Sequence, residues 1–212
     1  MTKKIQAVLF DCDGVLIDTE AVANQCFKEI LEQYGVLMSL EEVTLSFKGL
    51  ATVKCIEWVK DKKGMTLPES FLSDYRTEVR KRIREEAPLV PGILKVITHL
   101  EENQIPFAVA SSTSEKTLHM NLKAKGLYPH FEERIFSCSQ IDKYKPLPDV
   151  YLWAAQKIQI PIQHCLIIED SKPGIQAAIA SGAHVIQYNA EGHDFGFEVQ
   201  EITDMTDVIK YL

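Results

Sequence analysis

The sequence predicts an α/β fold: a doubly wound parallel sheet of five strands (Rossmann-like), with an all-helical block inserted behind the first strand. Short apolar runs without alternation indicate strands buried on both faces. Segments of helical periodicity separate these runs, which implies parallel pairing through crossover helices. The five predicted strands are 7–10, 106–110, 134–137, 165–168 and 184–187.

Composition sets the outer bounds on function. The chain has 212 residues, of which 46% are hydrophobic and 25% charged, with a formal net charge of -7. These values are ordinary for a soluble globular protein. The most basic segment, 76–84, also contains glutamates, so nucleic acid is an unfavoured partner. The sequence contains neither a signal-peptide pattern nor a stretch long enough to cross a membrane. Five scattered cysteines without a Cys-x-x-Cys pair predict a reducing, cytoplasmic setting.

The inserted block consists of four predicted helices. Thr19 can cap the first, which Gly35 ends, and the spacing from Ser39 to Glu42 resembles a capping box that opens the second. The third ends near Gly64, and the fourth extends from about 68 to 86. We therefore expect a helical domain over 16–88 and a second domain formed by 1–15 and 89–212.

The first strand ends in two acids. Residues two apart in an extended segment point the same way, so Asp11 and Asp13 can direct both carboxylates into one space. Two carboxylates this close repel each other unless a positive charge lies between them. A turn whose acids only bind backbone N–H groups would explain Asp13 and Gly14, but it explains a pair of acids less well.

Other polar residues follow the later strands. In a parallel sheet these carboxyl ends share one edge, where open α/β sheets bind ligands. Alone, each has a simpler explanation: a helix cap for the serines, a solvated lysine, or turn acids. Together they suggest acids for a hard cation, and hydroxyls, a helix start and a lysine for a phosphate. The residues concerned are Ser111, Ser112, Lys145, Glu169 and Asp170.

This set of groups suits phosphoryl transfer, in which the ester's charge must be neutralised before a nucleophile approaches. Asp11 would attack phosphorus and form an aspartyl-phosphate. Asp13 would protonate the leaving oxygen and then activate water. The predicted Mg²⁺ ligands are Asp11, Asp13 through its backbone carbonyl, and Asp170, with Glu169 as a further candidate. Ser111, Ser112 and Lys145 would bind the phosphate.

The motifs 11–15, Ser111, Lys145 and Glu169-Asp170 match, in order and spacing, those of the haloacid dehalogenase superfamily. The chain resembles the phosphatase branch and, within it, the β-phosphoglucomutase-like group. The resemblance implies a central first strand, a mobile helical cap, Mg²⁺ and a small phosphorylated metabolite as substrate, such as a sugar phosphate or phosphosugar acid. We expect a monomer.

Several positions depart from that group. The mutases have a histidine where this chain has Ala23 and an arginine where it has Thr52, which disfavours the rival reading as a phosphosugar mutase. Asp13 disfavours a true dehalogenase. Tyr144 replaces a frequent glycine and Ser112 a frequent asparagine. A rival of another class is a phosphometabolite-binding protein without turnover, which the complete acid and lysine set disfavours.

Substrate selection is expected to come from the helical domain. The sequence places Glu20 on its first helix and Lys48 in the break between its second and third helices. Each has a plainer interpretation, as a first-turn acid and a solvated loop lysine.

Overall fold

The computed structural model describes residues 5–47, 52–190 and 192–212. The chain divides into two compact units. The first unit comprises Met1–Asp18 and Pro88–Leu212, and the second is Thr19–Ala87. The boundaries therefore lie after Asp18 and Ala87, close to turns at either end of the helical segment. Among the described residues, no helix combines the length and apolar character that crossing a membrane would need.

The first unit is built on one parallel sheet, and the observed fold class is the predicted one. Its strand order is β3-β2-β1-β4-β5-β6, so the first strand lies inside the sheet between β2 and β4. The strands are β1 Ala7–Phe10, β2 Phe107–Ser111, β3 Ile135–Ser137, β4 Cys165–Glu169, β5 His184–Tyr188 and β6 Gln200–Ile202.

The sixth strand was not predicted. Its three residues pair in parallel with β5 at the edge of the sheet. Gln200 and Glu201 are exposed and only Ile202 is buried, so β6 lacks the apolar run that marks the other strands. An edge strand with one covered residue leaves almost no trace in a hydrophobicity pattern.

Helices cover both faces of the sheet, as parallel connections require. They are α5 Ile93–Glu102, α6 Glu115–Ala124, α7 Tyr128–Phe131, α8 Cys138–Ile141, α9 Asp149–Lys157 and α10 Lys172–Ser181. The C-terminal helix predicted from the sequence is a 3-10 helix, Met205–Tyr211.

Side chains alternate between the two faces of the sheet. Leu9 and Ala110 contribute to a cluster with residues of α9 and α10, including Tyr151. On the opposite face, Phe10, Phe107 and Phe131 form three edge-to-face ring pairs with centroids 5.2 to 6.4 Å apart. Both faces are thus filled by large apolar groups, and this packing fixes the ends of the strands.

The described residues of the second unit form helices and no strand. The helices are α1 Glu20–Gln33, α2 Leu40–Phe47, α3 Thr52–Lys63 and α4 Phe71–Glu86. Its core is centred on Phe27, whose ring makes edge-to-face contacts with Phe47, Phe71 and Tyr75. Ser39 and Glu42 form the reciprocal bonds expected of a capping box at the start of α2.

Candidate active site

The first strand delivers Asp11 into the middle of the sheet's carboxyl edge. The Asp11 backbone N–H donates to the carbonyl of Ile168 on β4, at 3.0 Å, so the residue continues the pairing of β1. Its side chain is almost fully buried. Gly14 then turns the chain with φ of +84°, and a Cβ on it would overlap the carboxylate of Asp170. A glycine is therefore needed here both for its backbone angle and for the approach of the acid.

Lys145 is buried between two acids. Its Nζ lies 2.5 Å from Asp11 Oδ1 and 2.6 Å from Glu169 Oε1, and it also donates to the carbonyl of Ala110 at 3.0 Å. An ammonium group has three N–H bonds, so each has an acceptor. Burial alone would lower the pKa of Lys145, but the carboxylates of Asp11 and Glu169 raise it well above its ordinary value. The lysine is therefore a fixed positive charge.

Glu169 is the most enclosed of the acids. Besides Lys145, its Oε1 accepts the hydroxyl of the buried Tyr151 at 2.6 Å. Its Oε2 accepts the backbone N–H groups of Asp170 and Ser171 and the Ser171 hydroxyl, at 3.1 to 3.3 Å. Five donors thus surround this carboxylate. Through its bond to Lys145, this carboxylate holds the lysine side chain in place.

The enclosure of Glu169 depends on two residues that the sequence did not mark as functional. A Cβ on Gly174, inside α10, would overlap the Glu169 carboxylate. The Tyr151 ring also lies under the lysine, with Nζ 4.8 Å from the ring centroid. In the sequence, both positions read as ordinary helix residues. For Tyr151 the sequence did contain one signal. A tyrosine on the buried face of a helix usually donates its hydroxyl to a polar partner, so a buried acceptor could have been expected.

The acids are grouped as a hard cation requires. Asp11, Glu169 and Asp170 can each present an oxygen within 4.8 Å of the others. Burial raises the pKa of Asp170 well above its usual range, and the charges of Glu169 and Asp11 add to the shift. Burial likewise raises the pKa of Asp11 to about 7, against the opposing effect of Lys145. A divalent cation with oxygen ligands would relieve this repulsion, so the residues fit Mg²⁺.

Asp13 has a different environment. Its side chain is not part of that three-acid group; instead its Oδ2 accepts the Thr113 hydroxyl at 2.7 Å. Burial raises the pKa of Asp13, while the bond from Thr113 and the charge of Lys145 lower it. A carboxyl group whose acid form is favoured by burial suits proton transfer.

The two serines predicted to bind phosphate end β2 and begin the following loop. Ser111 is buried, and its Oγ accepts the backbone N–H of Thr113 at 3.0 Å. Ser112 is exposed, with its Oγ 3.7 Å from Cys138 Sγ. Helix α6 begins shortly after, at Glu115.

These groups meet at one cavity of about 230 Å³. Most of the site residues predicted in the first unit line this cavity. Of the last motif, Glu169-Asp170, only Asp170 is among the lining residues. The lining consists of Asp11, Asp13, Ser111, Ser112, Thr113, Lys145, Asp170, Ser171 and Pro173. Its floor combines acids, hydroxyls and one ammonium group, which are the groups that phosphoryl transfer uses.

Two further site predictions concern Glu20 and Lys48, and Cys12 lies between the two aspartates. Cys12 is buried, and burial raises the pKa of its thiol well above the ordinary value, with Asp13 and Asp11 adding to the shift. Its sulfur is therefore a protonated thiol, which is a poor nucleophile compared with a thiolate. Glu20 is the first residue of α1. Lys48 lies outside the described residues.

The comparisons with known proteins agree with this geometry. Residues 8–212 match the model of the haloacid dehalogenase-like hydrolase family. The chain belongs to this family. It is 27% identical to 6-phosphogluconate phosphatase of Escherichia coli (strain K12), over 96% of this chain and 91% of that protein. It is also 27% identical to a phosphorylated carbohydrates phosphatase of Thermotoga maritima, over 84% of this chain and 82% of that protein.

Solved structures show the same fold. A haloacid dehalogenase family hydrolase from Deinococcus radiodurans, crystallised with bound phosphate and sodium, superposes with a TM-score of 0.83 at 27% identity. The match covers 97% of this chain and 94% of that one. The family and the enzyme class predicted from the sequence, a phosphoric monoester hydrolase of the haloacid dehalogenase type, are thereby confirmed.

Proposed function

We propose that this protein is a Mg²⁺-dependent phosphatase that hydrolyses a small phosphorylated metabolite through an aspartyl-phosphate intermediate. The observation that carries the proposal is the placement of Asp11. Its Oδ1 accepts a hydrogen bond from Lys145. The same carboxylate lines a cavity that is also lined by Asp13, Ser111 and Thr113.

Asp11 is the nucleophile in this proposal. Because Lys145 holds Oδ1, we assign the attack on phosphorus to Oδ2. The new bond joins Oδ2 to phosphorus as the ester P–O bond breaks, in line with it. Lys145, Ser111 and Ser112 bind the phosphoryl oxygens. Lys145 then has two tasks, since the ammonium group that orients the nucleophile also offsets negative charge on the phosphate.

Asp13 carries the proton. In its acid form it gives a proton to the leaving oxygen, and the alcohol departs. The resulting carboxylate then takes a proton from a water molecule that attacks phosphorus, which frees phosphate and restores Asp11. One residue thus acts first as acid and then as base.

The metal ligands that we propose are the carboxylates of Asp11 and Asp170 and the backbone carbonyl of Asp13. Glu169 remains a candidate, but its five donors favour a supporting role behind Lys145 and Asp170. When bound, Mg²⁺ supplies positive charge that screens the phosphate from the approaching carboxylate.

For the substrate we propose a sugar phosphate or phosphosugar acid, such as 6-phosphogluconate. The support is the likeness to the two phosphatases named above, which covers most of each protein. We further propose that Glu20 and Lys48 select among such esters. Replacing Lys48 by alanine should lower kcat/KM for the preferred metabolite. The loss should correspond to about 1–3 kcal/mol of transition-state stabilisation, the scale of a charge-assisted hydrogen bond. It should leave a small aryl phosphate almost unaffected.

The proposal is tested by a panel of phosphorylated metabolites, with free phosphate and the dephosphorylated product both measured. We expect phosphate release with Mg²⁺, none in excess chelator, recovery on adding Mg²⁺, and no recovery with Ca²⁺, whose coordination is larger and looser. An isomer formed without phosphate release would instead identify a mutase. Binding without any turnover would identify a phosphometabolite-binding protein, and full activity in chelator would remove the metal from the mechanism.

A further inference from the structure

Thr113 makes a contact that the proposed mechanism does not yet use. Its hydroxyl donates to Asp13 Oδ2 at 2.7 Å, across 100 residues of sequence. Both side chains line the same cavity. A hydroxyl has one proton to donate, so this bond commits it to one oxygen of the acid.

The threonine is itself held on two sides. Its backbone N–H donates to Ser111 Oγ at 3.0 Å, and its carbonyl accepts the Ser137 hydroxyl at 2.6 Å. Ser111 ends β2, and Ser137 ends β3 and is fully buried. The loop that carries Thr113 is thus tied to two neighbouring strands. Its hydroxyl therefore reaches Asp13 from a rigid support.

A proton donor must be aimed as well as protonated. The carboxyl group of Asp13 can rotate about χ2, a broad torsion with little intrinsic preference. A bond to Oδ2 fixes that rotation and leaves Oδ1 for the substrate's leaving oxygen. Positioning of this kind is worth large factors in rate because proton transfer needs hydrogen-bond contact at the moment of bond cleavage.

We propose that Thr113 is a positioning residue that aims Asp13 at the leaving group of the ester, and this inference rests on the proposed function. It differs from direct phosphate binding by Thr113. A phosphate-binding hydroxyl serves every ester equally, because all substrates share the phosphoryl group. A residue that aims the proton donor matters most for esters whose leaving oxygen is strongly basic.

The test compares two small esters in each variant, with Mg²⁺ present: benzyl phosphate, whose leaving alkoxide is strongly basic, and p-nitrophenyl phosphate, whose phenolate leaves without much help. The quantity measured is the ratio of their kcat/KM values. That parameter reports the steps up to transfer of the phosphoryl group to Asp11 and excludes later hydrolysis. Taking the ratio within one sample also cancels any difference in the folded fraction of the enzyme.

For Thr113→Val and Thr113→Ala we expect kcat/KM to fall about tenfold or more for benzyl phosphate and less than about twofold for p-nitrophenyl phosphate, as partial loss of general acid catalysis predicts. Thr113→Ser keeps the hydroxyl and should restore the wild-type ratio. The matched control is Thr117→Val, because Thr117 on α6 accepts a bond from Ser114 rather than contacting an acid. It should leave both values unchanged.

The outcomes separate the two hypotheses. If the wild-type protein releases phosphate from both esters but Thr113→Val loses equally on both, or on neither, the positioning role is wrong and the proposed function stands. If serine fails to restore the ratio, the hydroxyl is not the cause and the inference also fails. If the wild-type protein releases phosphate from neither ester nor from any metabolite in the panel, the proposed function fails first and takes this inference with it.

Discussion

The two units of the protein each contain a cation between two carboxylates, in opposite surroundings. In the sheet unit, Lys145 lies between Asp11 and Glu169, and its side chain is only 4% exposed. In the helical unit, Arg82 pairs with Glu29 and Glu78; the Arg82 side chain is 19% exposed and each glutamate side chain 34%. The charges are alike and the distances, 2.5 to 2.8 Å, are similar. What differs is access to water.

Burial changes what such an arrangement does. Near water, ion pairs contribute little because solvent already stabilises each charge. Away from water, each charge is stabilised mainly by its partner. Removing one partner leaves the other charge buried and uncompensated, which lowers the free energy of unfolding strongly. Burial raises the pKa of Asp11 to about 7, whereas the bonds from Gln25 and Arg82 lower the pKa of Glu29. Burial thus raises the pKa of an acid in the first group, whereas the second group joins helices α1 and α4.

The largest expected effect separates the two groups by activity. Asp11→Asn keeps the size of the side chain but cannot form an acyl-phosphate, so kcat should fall by about 10,000-fold or more, the scale of losing a nucleophile. Glu29→Gln makes the same change in the exposed group and should leave kcat unaltered. Steady-state phosphate release at saturating substrate measures kcat for both variants. Substantial turnover by Asp11→Asn would exclude the covalent mechanism.

Removing the cations contrasts the two groups by stability. Lys145→Ala leaves Asp11 and Glu169 buried without their counter-charge, so the free energy of unfolding should fall by about 3–5 kcal/mol. Arg82→Ala, the matched variant, should cost less than about 1 kcal/mol. Urea denaturation followed by circular dichroism gives both values. Similar losses in the two variants would show that burial is not what separates the groups.

Two tyrosine hydroxyls extend the comparison to neutral donors. Tyr151→Phe keeps the ring beside Lys145 but removes a buried donor to Glu169, which should cost about 1–3 kcal/mol of stability. Tyr34→Phe removes an exposed donor to Asp74 in the helical unit, and its effect should be small. The two unfolding curves are measured side by side. If Tyr151→Phe is as stable as the wild type, Glu169 does not depend on the hydroxyl.

Salt gives the smallest effect and sharpens the contrast. At 1 M NaCl the Debye length is about 3 Å, so exposed pairs are screened and buried ones are not. The cost of Arg82→Ala should therefore vanish in 1 M NaCl, while the cost of Lys145→Ala should persist. Repeating the denaturation curves at low and high salt checks this. A Lys145→Ala cost that disappears with salt would mean that water reaches the buried group.

Much of this protein follows from local sequence alone. The uninterrupted apolar run 7–10 predicts a strand buried on both faces because the run presents no polar side chain on either face. The period of two then places Asp11 and Asp13 together, and parallel strands bring Ser111, Lys145 and Asp170 to the same edge. Each of these features is determined by neighbours in the sequence or by a rule of sheet topology.

Only the tertiary structure decided how those groups are paired. Thr113 meets Asp13 across 100 residues, and Tyr151 meets Glu169 across 18, and no local pattern encodes such contacts. The sequence favoured Asp170 as a metal ligand and kept Glu169 as a further candidate, but it could not show what Glu169 contacts. The fold separates them, because Glu169 at the end of β4 is enclosed by Lys145, Tyr151 and the start of α10, while Asp170, one residue later, lines the cavity. Burial depends on what packs from elsewhere in the chain, and a one-residue step along an extended backbone reverses the direction of the side chain.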